Sequence, residues 1–285
     1  MLCDLHIHSQ YSTGSQSIPE ILAEVKAKGI GLISITDDDT MEAYPELERL
    51  APKAGIAWIH GVQISASWGP LPMFRFLAYG CDPHNAALCD MLAENRAKME
   101  ILGEAVITTL AKEFPALSAT DYHAHHKDPA FGGFKYNSYM QAAGLDGHYE
   151  ASRDLLIPFR DAMMPAFAAL GFAPIEQAIA TVHAAGGKAI VTGGYLRNED
   201  TFTADLERAA ALGLDGVEIY SVNHTPAMAE AAKSVADRLG LLTSGGGDGH
   251  GTWADAAQFG IGNRRVELAD LNLGDITIHS LNGQA

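Results

Sequence analysis

Cysteine is scarce in this 285-residue chain: Cys3, Cys81 and Cys89 leave one unpaired in any disulfide scheme, and their spacing fits no zinc knuckle. Cys3 lies inside an apolar strand pattern and reads as a small core residue. Basic residues are also few, 19 against 35 acidic ones, for a net charge of −16. That balance excludes a general nucleic-acid-binding surface, because neutralising phosphates needs clustered Lys and Arg. A small anionic substrate would need a local basic pocket. No apolar run approaches the roughly 20 residues that cross a bilayer. The chain opens directly on a strand pattern without a basic segment or cleavage site, so a cytoplasmic location is the expectation. Internal repeats and low-complexity segments are absent too. With 47% hydrophobic residues and 19% charged ones, what remains is an ordinary globular composition with enough apolar material for a large core.

Short β-rich runs alternate with helical patterns. Met1 to His8 reads as a strand, followed by a helix over Pro19 to Lys28 that is opened by Ser17-Ile18-Pro19-Glu20. A buried strand, Gly31 to Thr36, ends at the acidic run Asp37-Asp38-Asp39, and Met41 to Ala51 is helical. Ala57 to Ser65 and Met73 to Tyr79 read as strands separated by a Trp-Gly-Pro turn. From Pro174 the rhythm resumes with a helix to Ala185, a strand Lys188 to Thr192 and a helix over 200–212. A strand Asp215 to Tyr220, a helix Pro226 to Leu239 and a strand Leu241 to Ser244 follow. This alternation predicts an α/β fold of βαβ units around a mostly parallel sheet. Between 86 and 170 the strand signal disappears. The expectation is therefore a barrel or sheet built from 1–85 and 171–285, with 86–170 as a mainly helical insertion covering one end.

The sharpest chemical signal is Asp4-Leu5-His6-Ile7-His8. Alternate strand residues point the same way, so His6 and His8 should project together while Leu5 and Ile7 pack on the other side. Two imidazoles so placed suit one divalent ion; the bland alternative is a pair of polar strand-end residues. Asp248-Gly249-His250 follows a strand and a Gly-Gly-Gly turn, at the end of a strand where parallel folds build their sites. Asp37, Asp38 and Asp39 close another strand in the same way. Three adjacent carboxylates repel unless a cation neutralises them, although an exposed helix N-terminus would tolerate them. Glu218 lies inside a buried strand pattern and needs a partner there, which makes it a candidate for orienting a ligand. His183 reads as structural, and His123, His125 and His126 as a solvent-facing loop.

The segments DLHIHSQYS, ITDDDT, HGVQIS, HAAGGKAIV, GLDGVEIYSVNHT and TSGGGDGH, in this order and spacing, resemble the PHP (polymerase and histidinol phosphatase) phosphoesterases over nearly the whole chain. The resemblance implies a distorted (β/α)7 barrel with a helical insertion. It also implies a cluster of two or three Mn, Fe or Zn ions that activates a hydroxide against a phosphate ester. Several members of that family cleave nucleotide or histidinol phosphates. The departures are equally specific. An acidic or His residue usually follows the HxH, and here Thr13 and Gly14 fill those places. The His of the usual TDHD is Asp38, the bridging Glu of PGIEIS is Gln63, a strand His is Arg75, and the His of AHP is Gly193. Carried over residue by residue, the resemblance leaves one metal position with His6, His8 and Asp248 but without its carboxylate bridge. A second position keeps nothing convincing. A third keeps His250, with Asp38 available as an oxygen ligand, and Asp37 is a further candidate ligand of the site as a whole.

Gln63 is neutral and offers one carbonyl oxygen, so it cannot bridge two cations as a carboxylate does. Arg75, if it points inward, puts a fixed positive charge where an ion would sit, yet a guanidinium also holds phosphate bidentately. Fewer than three ions are therefore expected. Asp248 and His250 are the candidate catalytic residues, and Arg75, Lys135, Arg197 and His224 the candidate contacts for a phosphorylated substrate. Lys135 stands where the family often has a His-bearing GRPH segment, and His224 could equally cap the helix that begins at Pro226. Two readings stand. One is a divergent metal-dependent phosphoesterase acting on a small phosphorylated metabolite or nucleotide through a mono- or dinuclear site. The other is a catalytically silent barrel binding a phosphorylated ligand or a protein partner.

Overall fold

A computed structural model describes residues 1–193, 196 and 198–280. The chain starts with β1 (Leu2–Ile7), α1 (Ile18–Ala27), β2 (Ile30–Ile35), α2 (Tyr44–Ala54) and the short β3 (Ala57–Trp58). The long β4 (Gly61–Trp68) and β5 (Leu71–Tyr79) follow. A helical stretch comes next: α3 (Ala86–Leu110), α4 (Ala119–Ala124), α5 (Lys135–Ala142), α6 (Tyr149–Leu156) and α7 (Arg160–Ala169). Alternation returns with α8 (Ile175–Ala184), β6 (Lys188–Val191), α9 (Phe202–Ala211), β7 (Gly216–Tyr220), α10 (Pro226–Leu239) and β8 (Leu242–Gly245), and β9 (Val266–Glu267) ends the strands. Local signals explain several boundaries. Ser17 and Glu20 form a capping box at α1, and Thr225 accepts from the Met228 N–H at α10, which closes on Gly240 in the left-handed region.

The strands form two sheets, β3-β2-β1-β9 and β4-β5-β6-β7-β8. The mostly parallel sheet expected from the alternation is corrected to a mixed arrangement. β4 and β5 form an antiparallel hairpin, β5 also pairs antiparallel with β6, and β6-β7-β8 run parallel. The hairpin reverses the chain without a crossover helix, so its two strands point opposite ways. Neither sheet closes on itself. Isolated bridges, Ile7 to Gly249 and Asp38 to Gln63, join the two sheets beyond the ends of β1 and β2.

The strand expected over 57–65 is broken. β3 ends the first sheet and β4 starts the second, with Ile59 and His60 between them. Tyr44 holds this break: its hydroxyl donates toward the Ile35 and Ile59 carbonyls and accepts from the Gly61 N–H. A helix expected from Met41 starts instead at Tyr44, after Asp39 takes a left-handed φ of 50°.

Apolar packing divides accordingly. The main cluster joins the outer faces of the strands to α1, α2, α8, α9 and α10. A second cluster lies within the 102–172 stretch, around Leu102, Val106, Tyr122, Met140 and Phe172. A third, small cluster contains Cys3, Leu5, Leu32, Leu77 and Ile190. Leu5 and Ile7 therefore do not share one face, as simple alternation predicted: Leu5 is in the small cluster and Ile7 in the main one. A register irregularity between Asp4 and Ile7 separates them. No helix among the described residues is long and apolar enough to cross a membrane.

Replacing Tyr44 by Phe strands the buried Gly61 N–H and removes the hydroxyl proton shared by the Ile35 and Ile59 carbonyls, of which Ile59 keeps Ser34 as a donor. The expected cost is about 2 kcal/mol of stability, read as a lower urea midpoint at an unchanged m-value.

Candidate metal centre

β1 and β8 lie side by side, and beyond β8 the chain must pass the backbone of β1 closely. A Cβ on Gly246 would sit 2.5 Å from the His6 nitrogen, and one on Gly247 would sit 2.0 Å from the Gly260 oxygen, so only glycine fits. Asp4 locks this approach. Its buried carboxylate accepts from the backbone N–H groups of His6 (3.1 Å), Gly247 (3.0 Å) and Gly262 (2.6 Å). The turn then delivers Asp248, itself at a left-handed φ of 49°, against the two histidines. Asp248 Oδ1 lies 3.3 Å from His6 Nε2 and 3.4 Å from His8 Nε2.

One ligand atom from each of His6, His8 and Asp248 lies within 4.8 Å of the others, the geometry that could hold a single ion. Two observations fit a divalent cation. First, the His6 ring is fixed from behind: its Nδ1 donates to Glu218 Oε1 at 2.8 Å, which leaves Nε2 facing Asp248. Secondly, His8 Nε2 is buried without a hydrogen-bond partner among the described residues, which keeps that nitrogen's lone pair available to a cation beside Asp248. Burial works against charge on His6, but Asp248 and Glu218 push its pKa up to about 10. The surrounding carboxylates thus demand a positive charge here, met by a proton or displaced by an ion.

Residues 4–127 match the PHP domain family. That match, together with the relatives below, supports the PHP superfamily for this chain. It is 26% identical over 87% of its length to a 3',5'-nucleoside bisphosphate phosphatase of Chromobacterium violaceum, covering 86% of that protein. It is 25% identical to a phosphoribosyl 1,2-cyclic phosphate 1,2-diphosphodiesterase of Eggerthella lenta, over 91% of this chain and 98% of that one. Among solved structures, an amidohydrolase from Chromobacterium violaceum with bound sulfate and no metal superposes with a TM-score of 0.73 at 24% identity, covering 90% of this chain and 89% of its own. At that identity the likeness is one of fold.

Around this trio the acidic run resolves into three separate environments, all buried, so the exposed helix N-terminus considered for it does not occur. Asp37 faces the 9–12 turn and accepts from the Ser9 N–H (2.7 Å) and from the hydroxyls of Ser9 (2.6 Å) and Ser12 (2.5 Å), with burial pushing its pKa up. It stands apart from the trio. Asp39 accepts from the Ser65 N–H and from Asn95. Asp38 Oδ1 accepts from Gln63 Nε2 at 2.8 Å and pairs with Arg75 Nη1 at 3.2 Å, while Oδ2 accepts from Thr13 at 2.7 Å. Burial favours its neutral form, but Arg75 and then His8 outweigh that and hold the carboxyl well below the usual range. Gln63 stands between the halves of the site, with its Oε1 3.2 Å from His6 Nε2. Arg75 does point inward, beside Asp38 and over the Phe134 ring at 5.2 Å.

His250 lies beside the trio: its ring stacks on His8 at 4.2 Å between centroids, and its Nδ1 donates to the Asp248 carbonyl at 2.7 Å. Burial, and next to it His8, lowers its pKa to about 4, so it is neutral near pH 7. Lys135 is elsewhere, paired with Glu100 at 3.5 Å and over the Tyr122 ring at 4.7 Å. Arg197 lies outside the described residues. His224 is buried, with its Nδ1 donating to the Ile219 carbonyl at 3.1 Å, and it fills the space beside Gly193. Neither His183, paired with Asp215, nor His125, bonded to Ser138, reaches the trio. The residue pattern assigns Asp4 no role of its own and marks Thr13 only as a departure from the family pattern. Asp4 carried a readable signal, an acidic residue inside an apolar strand that needs donors, whereas the Thr13–Asp38 contact joins two loops whose meeting no spacing announces.

A Cβ on Gly193 would meet His224 Nε2 and Ser221 Oγ, each at 2.6 Å. Gly193→Ala is therefore expected to cost about 1–3 kcal/mol by thermal denaturation, and His224→Ala in the same chain to recover much of that loss.

Proposed function

We propose that this chain is a PHP-type metal-dependent phosphoesterase acting on a small phosphorylated substrate, with a reduced site that holds one divalent ion (Mn, Fe or Zn) through His6, His8 and Asp248. The observation that carries this reading is the convergence of those groups within 4.8 Å, with the His6 ring fixed by Glu218. When bound, such an ion supplies Lewis acidity, which lowers the pKa of water and polarises a phosphoryl oxygen. The protein's own groups surround that position in complementary roles. Arg75 lies where the resemblance places a histidine ligand, and its guanidinium binds non-bridging phosphoryl oxygens at the price of closing that position to a second cation. Neutral His250, with its Nδ1 proton held by the Asp248 carbonyl, accepts or returns a proton at Nε2. Glu218 keeps the His6 tautomer fixed through Thr192 and Gly193 behind it. The two sheets, linked by their bridges, are consistent with a distorted seven-stranded barrel, over whose mouth 86–170 forms the insertion. A cytoplasmic location is part of the same proposal.

A second reading, a silent barrel that binds a phosphorylated ligand, is favoured by the Arg75–Asp38–Gln63 network, which satisfies Asp38 without any ion.

Protein purified without chelator is expected to carry about one ion per chain by elemental analysis, to hydrolyse members of a phosphomonoester panel, and to lose both properties in Asp248→Ala. Metal below about 0.1 per chain with no turnover after Mn addition leaves the silent reading. Arg75→Ala is expected to lower kcat by about 10²-fold at unchanged metal content; a variant that instead gains a second ion and turnover makes Arg75 an obstacle.

A further inference from the structure

From the His6–Asp248–His250 corner a cavity of about 560 Å³ runs outward under the helical stretch. Its size is that of a pocket for an organic molecule, well beyond a phosphate. The walls away from the ion-binding corner come chiefly from Met73, Phe134, Tyr149, Met163, Phe167 and Trp253.

Several polar side chains along these walls are already committed to the protein, while Arg160 and Asn223 lie along the same walls. Asn137 donates from Nδ2 to Ser152 Oγ (2.8 Å) and accepts at Oδ1 from the Phe134 N–H (3.0 Å). Thr192 donates to Glu218, and Thr13 to Asp38. Arg153 makes two contacts with Asp154, at 3.0 and 2.9 Å. The Trp253 indole N–H donates to the Gly147 carbonyl at 3.2 Å, so the ring offers the cavity only its apolar surface. A sugar or a nucleobase edge placed against Asn137, Thr192 and Trp253 would leave its own donors and acceptors without partners, at a cost that a flat hydrocarbon does not incur.

We infer that the substrate is a phosphomonoester of an aryl or similarly flat apolar alcohol, whose body fills this cavity while its phosphate faces Arg75 and the trio. The assignment rests on the phosphoesterase reading and narrows it, since the mainly apolar wall favours such a body over the polar one of a nucleotide. Aromatic faces and two adaptable Met side chains favour a ring system over a branched aliphatic one.

The test uses the Mn-loaded full chain and titration calorimetry with non-hydrolysable probes. (Naphthalen-1-ylmethyl)phosphonate is expected to bind at least about tenfold more tightly than methylphosphonate, because only the former buries a ring. Leu156→Gln, a half-buried wall position, should weaken the naphthyl probe several-fold more than the methyl one. Equal affinity for the two phosphonates, or tighter binding of AMP than of the naphthyl probe, overturns the inference. Neutral naphthalen-1-ylmethanol separates the two readings. If phosphonates fail to bind and metal is absent, the phosphoesterase reading has failed. Naphthylmethanol binding that weakens in Leu156→Gln would then still establish an apolar-body site.

Discussion

His6 stands between two buried carboxylates, Glu218 behind it and Asp248 in front, and this line of charges governs the architecture around it. Glu218 comes from within β7 and Asp248 from the loop after β8, so the charge line forms only where β1 of one sheet meets that end of the other. Low-dielectric surroundings amplify both the attraction between unlike groups and the repulsion between Glu218 and Asp248, and a cation between them settles the balance. Asp4 supports the same junction by purely neutral means, with three peptide N–H groups converging on one carboxylate. Burial pushes its pKa up to about 6, a sign of how little solvent reaches this seam.

The opposite half of the site runs on a different principle. There Asp38, Gln63 and Arg75 satisfy one another, and Thr13 completes the set. A guanidinium is a permanent, planar, directional cation, so it neutralises Asp38 without exchange, whereas an ion-binding position must remain open to exchange. The centre therefore combines an open half that calls for a cation with a closed half that contains one covalently.

Much of this was legible in the residues. HxH in a strand and DGH after triple glycine identified His6, His8, Asp248 and His250 as neighbours because alternation and strand-end location are local rules. Glu218 was legible for a similar reason, as a charge inside an apolar strand. Other features depend on contacts between segments far apart. Asp37, Asp38 and Asp39 are consecutive, yet each faces its own partners, since the backbone turns sharply at Asp39. The direction of Arg75 follows from the β4–β5 hairpin register, Ser65 opposite Arg75, which apolar periodicity does not specify. The cavity walls were illegible altogether: Phe134, Tyr149 and Trp253 come from separate stretches and meet only through tertiary packing.

Gly193 and His224 show how close packing couples two positions. With no side chain at 193, the His224 ring occupies the adjoining volume and anchors on the Ile219 carbonyl. A larger residue at 193 has room only if the imidazole moves out, so the two positions tolerate change as a pair rather than singly, and this interlock makes that side of the cleft resistant to piecemeal alteration.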